Sequence, residues 1–135
     1  MKAEIRAARG IALMNAVAID LAHATGSADH AARAALLTPI SKAFGTETGI
    51  KVAEMGIQVH GGMGFIEEAG AAQFFRDVRV TAIYEGTNGI QAMDLVGRKM
   101  MDGGAEARRL IAEIADCAAE AQGRLPDIAL PVAEA

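Results

Sequence analysis

One carboxylate in this sequence is placed where it could act as a general base. Glu85 lies between Tyr84 and Gly86, at the junction between an irregular segment and a predicted helix. The small Gly86 leaves room for a substrate to reach the carboxylate, and a partly apolar cleft would move the pKa of such a group toward working pH. A carboxylate near the start of a helix is also commonly a capping residue or a partner of the helix dipole. The residues alone leave both roles open for Glu85.

A glycine-rich run, Gly61-Gly62-Met63-Gly64, follows the end of a predicted helix. Glycines at that place commonly terminate a helix, and the run is not a dinucleotide fingerprint because no strand precedes it. Backbone N–H groups bared by glycines can nevertheless approach a pyrophosphate or a sugar closely. The amide of Gln58, less than a helical turn earlier, could supply a directional hydrogen bond to the same ligand.

Composition indicates a helical domain and disfavours one class of partner. The chain has 135 residues, the size of one domain; 52% are hydrophobic, 4% are aromatic and there is no Trp. A β-sandwich is rarely built from so few aromatic residues, whereas the many alanines favour helix, so the predicted fold class is all-α. The net charge of −4 argues against nucleic acid as a partner, because no basic stripe is present to neutralise phosphates.

Metal sites, disulfides and membrane segments are not indicated either. His23, His30 and His60 are too scattered for a metal site, so none is predicted. Cys117 is the single cysteine and cannot form an internal disulfide. No apolar run reaches the roughly 18 residues of a membrane span, and the N-terminus lacks the apolar centre of a signal peptide. The expected location is the cytoplasm.

The elements that must position these residues are predicted to be helices, packed as an incomplete antiparallel helical bundle without a sheet. Apolar residues at steps of three and four indicate the first helix. Ser27 or Asp29 caps the next segment, and Thr38-Pro39 marks a further helix start. Thr87 or Asn88 caps a later helix. The predicted helices are residues 2–24, 29–37, 39–60, 69–75, 87–101 and 105–121.

Two stretches are predicted to be irregular. Residues 61–85 contain the glycine run, a short helix and a polar connection through Arg76-Asp77. The tail from Gly123, with Pro126 and Pro131, is expected to fray.

The first helix is predicted to need a partner. Ile5, Leu13 and Val17 belong to its apolar stripe, and a bundle must cover such a face. An upstream helix or a dimer partner would serve.

Four linked pieces of the sequence resemble the acyl-CoA dehydrogenase family. The C-terminal helical domain of that family carries a glutamine followed by a glycine run, an Arg-Asp pair, an Ile-Tyr-Glu-Gly-Thr segment and then Ile-Gln. This chain has, in the same order and spacing, Gln58-Val59-His60-Gly61-Gly62-Met63-Gly64-Phe65, Arg76-Asp77, Ile83-Tyr84-Glu85-Gly86-Thr87 and Ile90-Gln91. A weaker similarity extends over residues 2–101 and includes Lys42.

The resemblance implies an FAD-dependent acyl-CoA dehydrogenase. Glu85 would remove the α-proton of an acyl-CoA thioester while the β-hydrogen leaves as hydride to the flavin. By the same resemblance Gly86 lines the acyl-CoA channel, and a flavin ribose hydroxyl together with the backbone N–H of Glu85 polarises the thioester carbonyl. Electron-transfer flavoprotein or a similar protein would be the electron acceptor.

The resemblance also implies two groups of flavin-binding residues. Thr87, Asn88 and Gly89 match positions that contact the phosphate and ribose of FAD. A second group matches the run that meets the FAD of a neighbouring subunit, which implies a homo-oligomer. The residues of this second group are Gln58, Val59, His60, Gly61 and Gly62.

The chain departs from the family pattern at three positions. Gly89 stands where Glu or Gln is common, and Met63 replaces a frequent aromatic residue. Arg98 falls one place later than the usual arginine, so no role is transferred to it. These differences bear on substrate class and flavin affinity and do not touch Glu85.

By this resemblance the chain divides into two parts. Residues 1–101 are part of the C-terminal helical domain, and residues 102–135 form a helical extension and tail, as in the longer family members. The family also uses an N-terminal helical domain and a central β-domain to hold the flavin and CoA, and these 135 residues contain neither. The isolated chain is therefore expected to be inactive.

Three alternatives stay open from the sequence. An acyl-CoA oxidase shares these motifs and differs in whether oxygen reaches the reduced flavin. A non-catalytic member of the same fold would bind flavin or a partner, although Glu85 and the lack of basic clusters argue against it. A plain helical interaction domain would require all four motifs to occur together by chance.

Overall fold

A computed structural model describes residues 1–135, and all of its regular structure is helical. The all-α fold class is confirmed. The α-helices in chain order are α1 (Lys2–Thr25), α2 (Ala28–Val59), α3 (Gly62–Phe65), α4 (Ala71–Arg79), α5 (Asn88–Asp94), α6 (Ala105–Ala121) and α7 (Pro126–Glu134). Two 3₁₀ turns, Glu67–Ala69 and Val80–Ala82, precede and follow α4. None of these helices combines the length and the apolarity needed to cross a bilayer.

Helices α1 and α2 form a helical hairpin around a two-residue turn. Gly26 ends α1 in the left-handed conformation, with φ 66°, and its N–H donates to the carbonyl of Ala22. Ser27 caps α2, since its side-chain oxygen accepts from the N–H of His30. This confirms the predicted break and the Ser27 cap. The contact between the two helices includes the buried Ala18 and Leu37.

The face of α1 that contacts α2 is not the stripe that the sequence indicated. Ala18 is buried, whereas Leu13 and Val17 are 61% and 55% exposed. Leu13 and Val17 therefore lie on the outer side of α1, where they line a groove whose other wall includes His30 and Leu37 of α2. Small residues at the inner face let the two helices approach closely, and the larger apolar side chains stay on the outside.

The predicted helix start at Thr38-Pro39 is wrong, because α2 runs without interruption from Ala28 to Val59. Proline inside a helix removes one backbone hydrogen bond and crowds the preceding turn. Here Pro39 is buried, and its position lies in the long stretch of α2 that packs on α1. Packing along the rest of the helix offsets the loss of one bond.

The predicted polar connection at Arg76-Asp77 is also wrong, because both residues lie in α4. Gln73 bridges them: its side-chain N–H donates to Asp77 at 2.6 Å, and Arg76 donates to its side-chain oxygen at 2.7 Å. Contacts between residues three and four positions apart stabilise a helix. They extend the short helix expected at residues 69–75 as far as Arg79.

The helix that follows Thr87 is shorter than the predicted 87–101. Thr87 caps it as expected, by accepting from the N–H of Ile90 at 3.3 Å. The α-helical part ends at Asp94, and Leu95–Lys99 continue as a π-helical turn. Asp94 forms ion pairs with Arg98 and, at 3.8 Å, with Lys99 across that turn.

The chain divides into two compact units, Met1–Lys99 and Met100–Ala135. In the second unit α6 has the predicted bounds. The tail that was expected to fray is instead helical from Pro126 to Glu134. Proline is favoured in the first turn of a helix, where its missing N–H has no partner to lose, and the buried Ala118 and Ala129 lie on α6 and α7, which pack together.

Candidate active site

Glu85 lies in the loop of residues 83–87 between the second 3₁₀ turn and α5, which we call the Glu85 loop. The N–H groups of Ile83 and Tyr84 both donate to the carbonyl of Val80, at 2.9 and 3.1 Å, so the 3₁₀ turn holds the start of the loop. Glu85 has φ 53° and is the only residue other than glycine with a positive φ; Gly86 follows with φ 83°. A β-carbon in the left-handed region costs about 1–2 kcal/mol, and such strain is concentrated at functional sites.

The Glu85 carboxylate has no partner within the chain. The residue is exposed, and its side chain makes no hydrogen bond or ion pair within the chain. Its backbone N–H also has no partner in the chain. The partly apolar cleft expected around a general base is not formed by this chain alone, because no described element covers the side chain.

The residues after Glu85 are small or are held in place. A β-carbon at Gly86 would stand 3.0 Å from the side-chain nitrogen of Gln91, the end of a flexible side chain, so the positive φ of Gly86 is the stronger reason for a glycine there. Thr87 uses its hydroxyl oxygen to cap α5. Gly89 has open space around it: a β-carbon there would have the Thr87 hydroxyl as its nearest neighbour, at 3.7 Å.

The side chain of Asn88 connects this segment to α2. Its Oδ1 accepts from Lys42 Nζ at 2.9 Å, and its Nδ2 donates to Thr46 Oγ1 at 3.1 Å and to Glu47 Oε1 at 2.8 Å. Sequence reasoning did not identify Thr46 or Glu47. The available signal was the spacing of Lys42 and Thr46, one turn apart on the same face of α2.

The second predicted group lies at the C-terminal end of α2. Gln58 and Val59 are exposed in the last turn, and the side-chain amide of Gln58 has no hydrogen bond within the chain. His60 is the C-cap, and its Nδ1 lies 2.8 Å from the carbonyl of Gly56. Gly61 has φ 57° and ψ −139°, a conformation open only to glycine, and Gly62 begins the short helix α3. We call residues 58–62 the glycine turn.

The structure does not bring the two groups together. Asn88 is hydrogen-bonded to Lys42, Thr46 and Glu47 of α2. The glycine turn lies further along the chain, at the C-terminal end of α2. With 1.5 Å per residue, Thr46 and Val59 are about 20 Å apart along the axis of α2. The two groups are therefore too far apart along α2 to form one compact site within this chain.

Comparison with known proteins identifies the fold. The family model for the C-terminal domain of acyl-CoA dehydrogenases matches residues 1–101. A 3-methylmercaptopropionyl-CoA dehydrogenase from Ruegeria pomeroyi is 47% identical over 119 residues, which cover 85% of this chain and 20% of that protein. A butyryl-CoA dehydrogenase from Syntrophomonas wolfei is 40% identical over 79 residues, 58% of this chain and 13% of the relative.

A human protein, the mitochondrial very long-chain specific acyl-CoA dehydrogenase, is also similar. It is 45% identical over 67 residues, which cover 50% of this chain and 10% of that enzyme. The chain thus spans a fifth or less of the length of these relatives. Because the family match takes in most of the chain, including the Glu85 loop and the glycine turn, this chain belongs to the acyl-CoA dehydrogenase family and carries its C-terminal helical domain.

Proposed function

We propose that this chain is the C-terminal helical part of an FAD-dependent acyl-CoA dehydrogenase in which Glu85 is the base that removes the α-proton. The observation that carries the proposal is the conformation of Glu85. A strained, exposed glutamate without any partner in the chain has no structural role to account for it. In this proposal residues 1–101 are the helical domain and residues 102–135 are its extension.

The proposed chemistry of this chain is a proton transfer. The Glu85 carboxylate takes the proton from the carbon next to the thioester carbonyl, becoming a carboxylic acid, and the electron pair of the broken C–H bond moves toward the carbonyl oxygen. The Glu85 N–H, which has no partner in the chain, is available to donate to that oxygen as its charge grows. When bound, FAD supplies the acceptor for the β-hydrogen, which leaves as hydride.

One residue in each of the two groups, Gln58 and Thr87, has a polar side chain that fits a flavin cofactor. The amide of Gln58 is exposed and free to hydrogen bond. The hydroxyl of Thr87 accepts from Ile90, which leaves its own proton for a phosphate or ribose oxygen. Since the two groups are about 20 Å apart along α2, we propose that they serve the flavins of two different subunits, as the resemblance implies, and that the enzyme is a homo-oligomer.

The substrate we propose is an acyl-CoA thioester, and one relative favours a particular kind. The similarity to the 3-methylmercaptopropionyl-CoA dehydrogenase covers 85% of the chain, so it reaches beyond residues 1–101 into the extension. The matches to the other two relatives cover 58% and 50%. A short acyl chain with a sulfur atom is therefore the first substrate to test, beside butyryl-CoA and a long-chain acyl-CoA.

The nearest alternative is an acyl-CoA oxidase with the same base. The two functions differ in the electron acceptor, which would be electron-transfer flavoprotein or a similar protein for a dehydrogenase and oxygen for an oxidase. Oxygen uptake during turnover distinguishes them.

The test is replacement of Glu85 by Gln in the FAD-loaded enzyme that contains this chain. Glu85→Gln removes the base with an isosteric amide, so flavin content should be unchanged. Bleaching of the flavin after rapid mixing with each thioester should slow by about 10²–10⁴-fold. The matched control is Glu54→Gln, since Glu54 is an exposed glutamate on α2 without an ion pair, and it should bleach at the wild-type rate. Bleaching of Glu85→Gln within a few-fold of wild type would show that Glu85 is not the base.

A further inference from the structure

We infer that Asn88 is a positioning residue for Glu85: its side-chain amide ties the C-terminal end of the Glu85 loop to α2 through Lys42, Thr46 and Glu47. The inference rests on the function proposed above. It gives the side chain of Asn88 a task other than the flavin contact that the resemblance implies for that position.

The partners of the amide fix its orientation. A lysine ammonium can only donate, and it faces Oδ1; a carboxylate can only accept, and the Glu47 carboxylate faces Nδ2. The assignment of oxygen and nitrogen in this amide is therefore chemically determined. Rotating the amide by half a turn would place N–H groups against an ammonium and an oxygen against a carboxylate.

The Thr46 hydroxyl completes the arrangement. Its shortest available acceptor is the carbonyl of Lys42 at 2.9 Å, inside α2. A hydroxyl that donates to the helix backbone accepts from Asn88 Nδ2, at 3.1 Å. Both N–H donors of the amide are then used, one by Thr46 and one by Glu47, so the amide has no donor left for a ligand.

The network lies where it can control Glu85. Asn88 is three residues after Glu85, and every hydrogen bond between α5 and α2 involves its side chain. Thr87 caps α5 locally and does not reach α2. Because the Glu85 side chain has no bond of its own, the ends of the loop decide where the carboxylate points. The start is held by Val80, and the end is held by Asn88.

Loss of the hydrogen bonds between Asn88 and α2 is expected to lower the rate of proton abstraction. A misplacement of about 1 Å between reacting groups lowers a rate by about 10²-fold. We expect that loss in proton abstraction for Asn88→Ala, and a smaller loss in the same direction for Thr46→Val, which removes one of the partners on α2.

The experiment isolates proton abstraction from hydride transfer. A 3-thia acyl-CoA analogue has an acidic α-proton and no β-hydrogen to lose, so the FAD-loaded enzyme in D₂O can only take the α-proton and return a deuteron. Mass spectrometry follows the uptake of deuterium, and flavin absorbance gives the FAD content of each variant. Amide hydrogen exchange, measured on the same proteins, should speed up in residues 83–89 of Asn88→Ala and stay unchanged in α6.

Two further variants make the result specific. Thr46→Ser keeps the hydroxyl and should restore the exchange rate that Thr46→Val loses. Thr48→Val removes a hydroxyl two residues further along α2 that is not bonded to Asn88, and it should exchange like wild type. If Asn88→Ala does not fold, the Thr46 and Thr48 variants decide alone.

The outcomes separate this inference from the proposed function. Unchanged exchange in Glu85→Gln means that Glu85 is not the base, which overturns the proposed function and with it the positioning role of Asn88. Lost exchange in Glu85→Gln, with Asn88→Ala and Thr46→Val both within two-fold of wild type at equal FAD content, overturns the positioning role. Loss of FAD in proportion to the loss of exchange in Asn88→Ala also overturns it, since the amide would then hold the cofactor and not the loop.

Discussion

At the scale of single residues, the backbone conformation of Glu85 is a stronger argument for a functional role than its residue type. The sequence indicated a candidate base because a small glycine follows it. The left-handed conformation of Glu85, φ 53°, was not predictable from that pattern. The small Gly86 indicates room for a substrate but does not predict the backbone conformation of the residue before it. The loop is hydrogen-bonded at both ends, through Val80 and through Asn88, and Glu85 has its left-handed conformation between these two points.

The strain at Glu85 can be measured as a difference in stability between two substitutions at this position. Glycine adopts a left-handed φ without a steric cost and alanine does not. Glu85→Gly should therefore be more stable than Glu85→Ala by about 1 kcal/mol, as measured by denaturant unfolding.

The same pair of substitutions in a helix gives the opposite order. At Glu54, an exposed position inside α2 and five residues before its end, Gly should be less stable than Ala by about 1 kcal/mol. If the Ala variant were more stable than the Gly variant at both positions, the backbone at Glu85 would have relaxed and no strain would be stored there.

At the scale of elements, the helices with strong capping signals were predictable and the ones held by packing were not. Ser27 and Thr87 cap the helices that the sequence assigned to them. Pro39 and Pro126 were interpreted as a helix start and part of a frayed tail, whereas Pro39 lies within α2 and Pro126 begins α7. Local propensity is a weak guide where tertiary contacts offset the cost of proline.

The close approach of α3 to the end of α2 depends on Gly64. A β-carbon there would stand 2.1 Å from the backbone oxygen of Ile57, so the chain would have to move. Gly64→Ala should lower the free energy of unfolding by about 1–3 kcal/mol, measured by denaturant titration.

The control for Gly64 lies two residues earlier in the same helix. Gly62 has nothing within 4 Å of its β-carbon position and has no positive φ. Gly62→Ala should keep or raise stability by up to about 1 kcal/mol. Equal losses at both glycines would indicate a general need for flexibility in α3 in place of the close contact at Gly64.

At the scale of the whole chain, the unit Met1–Lys99 leaves large apolar side chains uncovered. Phe65 is 81% exposed and Phe74 is 73% exposed, and the outer face of α1 carries Leu13 and Val17. Leu13 and Val17 are one turn apart on α1 and line the same groove, and exposed apolar side chains that lie together mark an interaction site. The sequence indicated that α1 needs a partner, and α2 covers only its inner face.

We expect this surface to drive self-association. The double variant Leu13→Gln/Val17→Gln should shift sedimentation of the chain toward the monomer, because it removes apolar area from the outer face of α1. Ala3→Gln/Ala7→Gln is the matched control, since both alanines are exposed on the same helix with the same spacing and lie outside the predicted apolar stripe. A wild-type chain that stays strictly monomeric at high concentration would contradict the expectation.

The candidate site was predictable in its parts and not in its arrangement. The motif order placed Glu85 and Gln58 correctly on a loop and at a helix end. It gave no distance between them, because that distance depends on α2 being one continuous helix past Pro39 to Val59. The resemblance assigned Asn88 to the flavin by position alone, and only the contacts with Lys42 and Thr46 show what its side chain holds.

Because α2 is continuous, the number of residues between its two contact regions fixes their distance and relative orientation. Thr46 is hydrogen-bonded to Asn88 in one proposed site segment, and Val59 leads into the other, so the number of residues between Thr46 and Val59 sets the distance between the two segments. Inserting one residue would turn the glycine turn by about 100° about the helix axis and move it about 1.5 Å. Inserting seven would restore the facing but lengthen the spacing by about 10 Å. We therefore expect natural variation in the number of residues to be confined to the loops of this domain, while α2 between residues 46 and 59 can change its side chains and not its count.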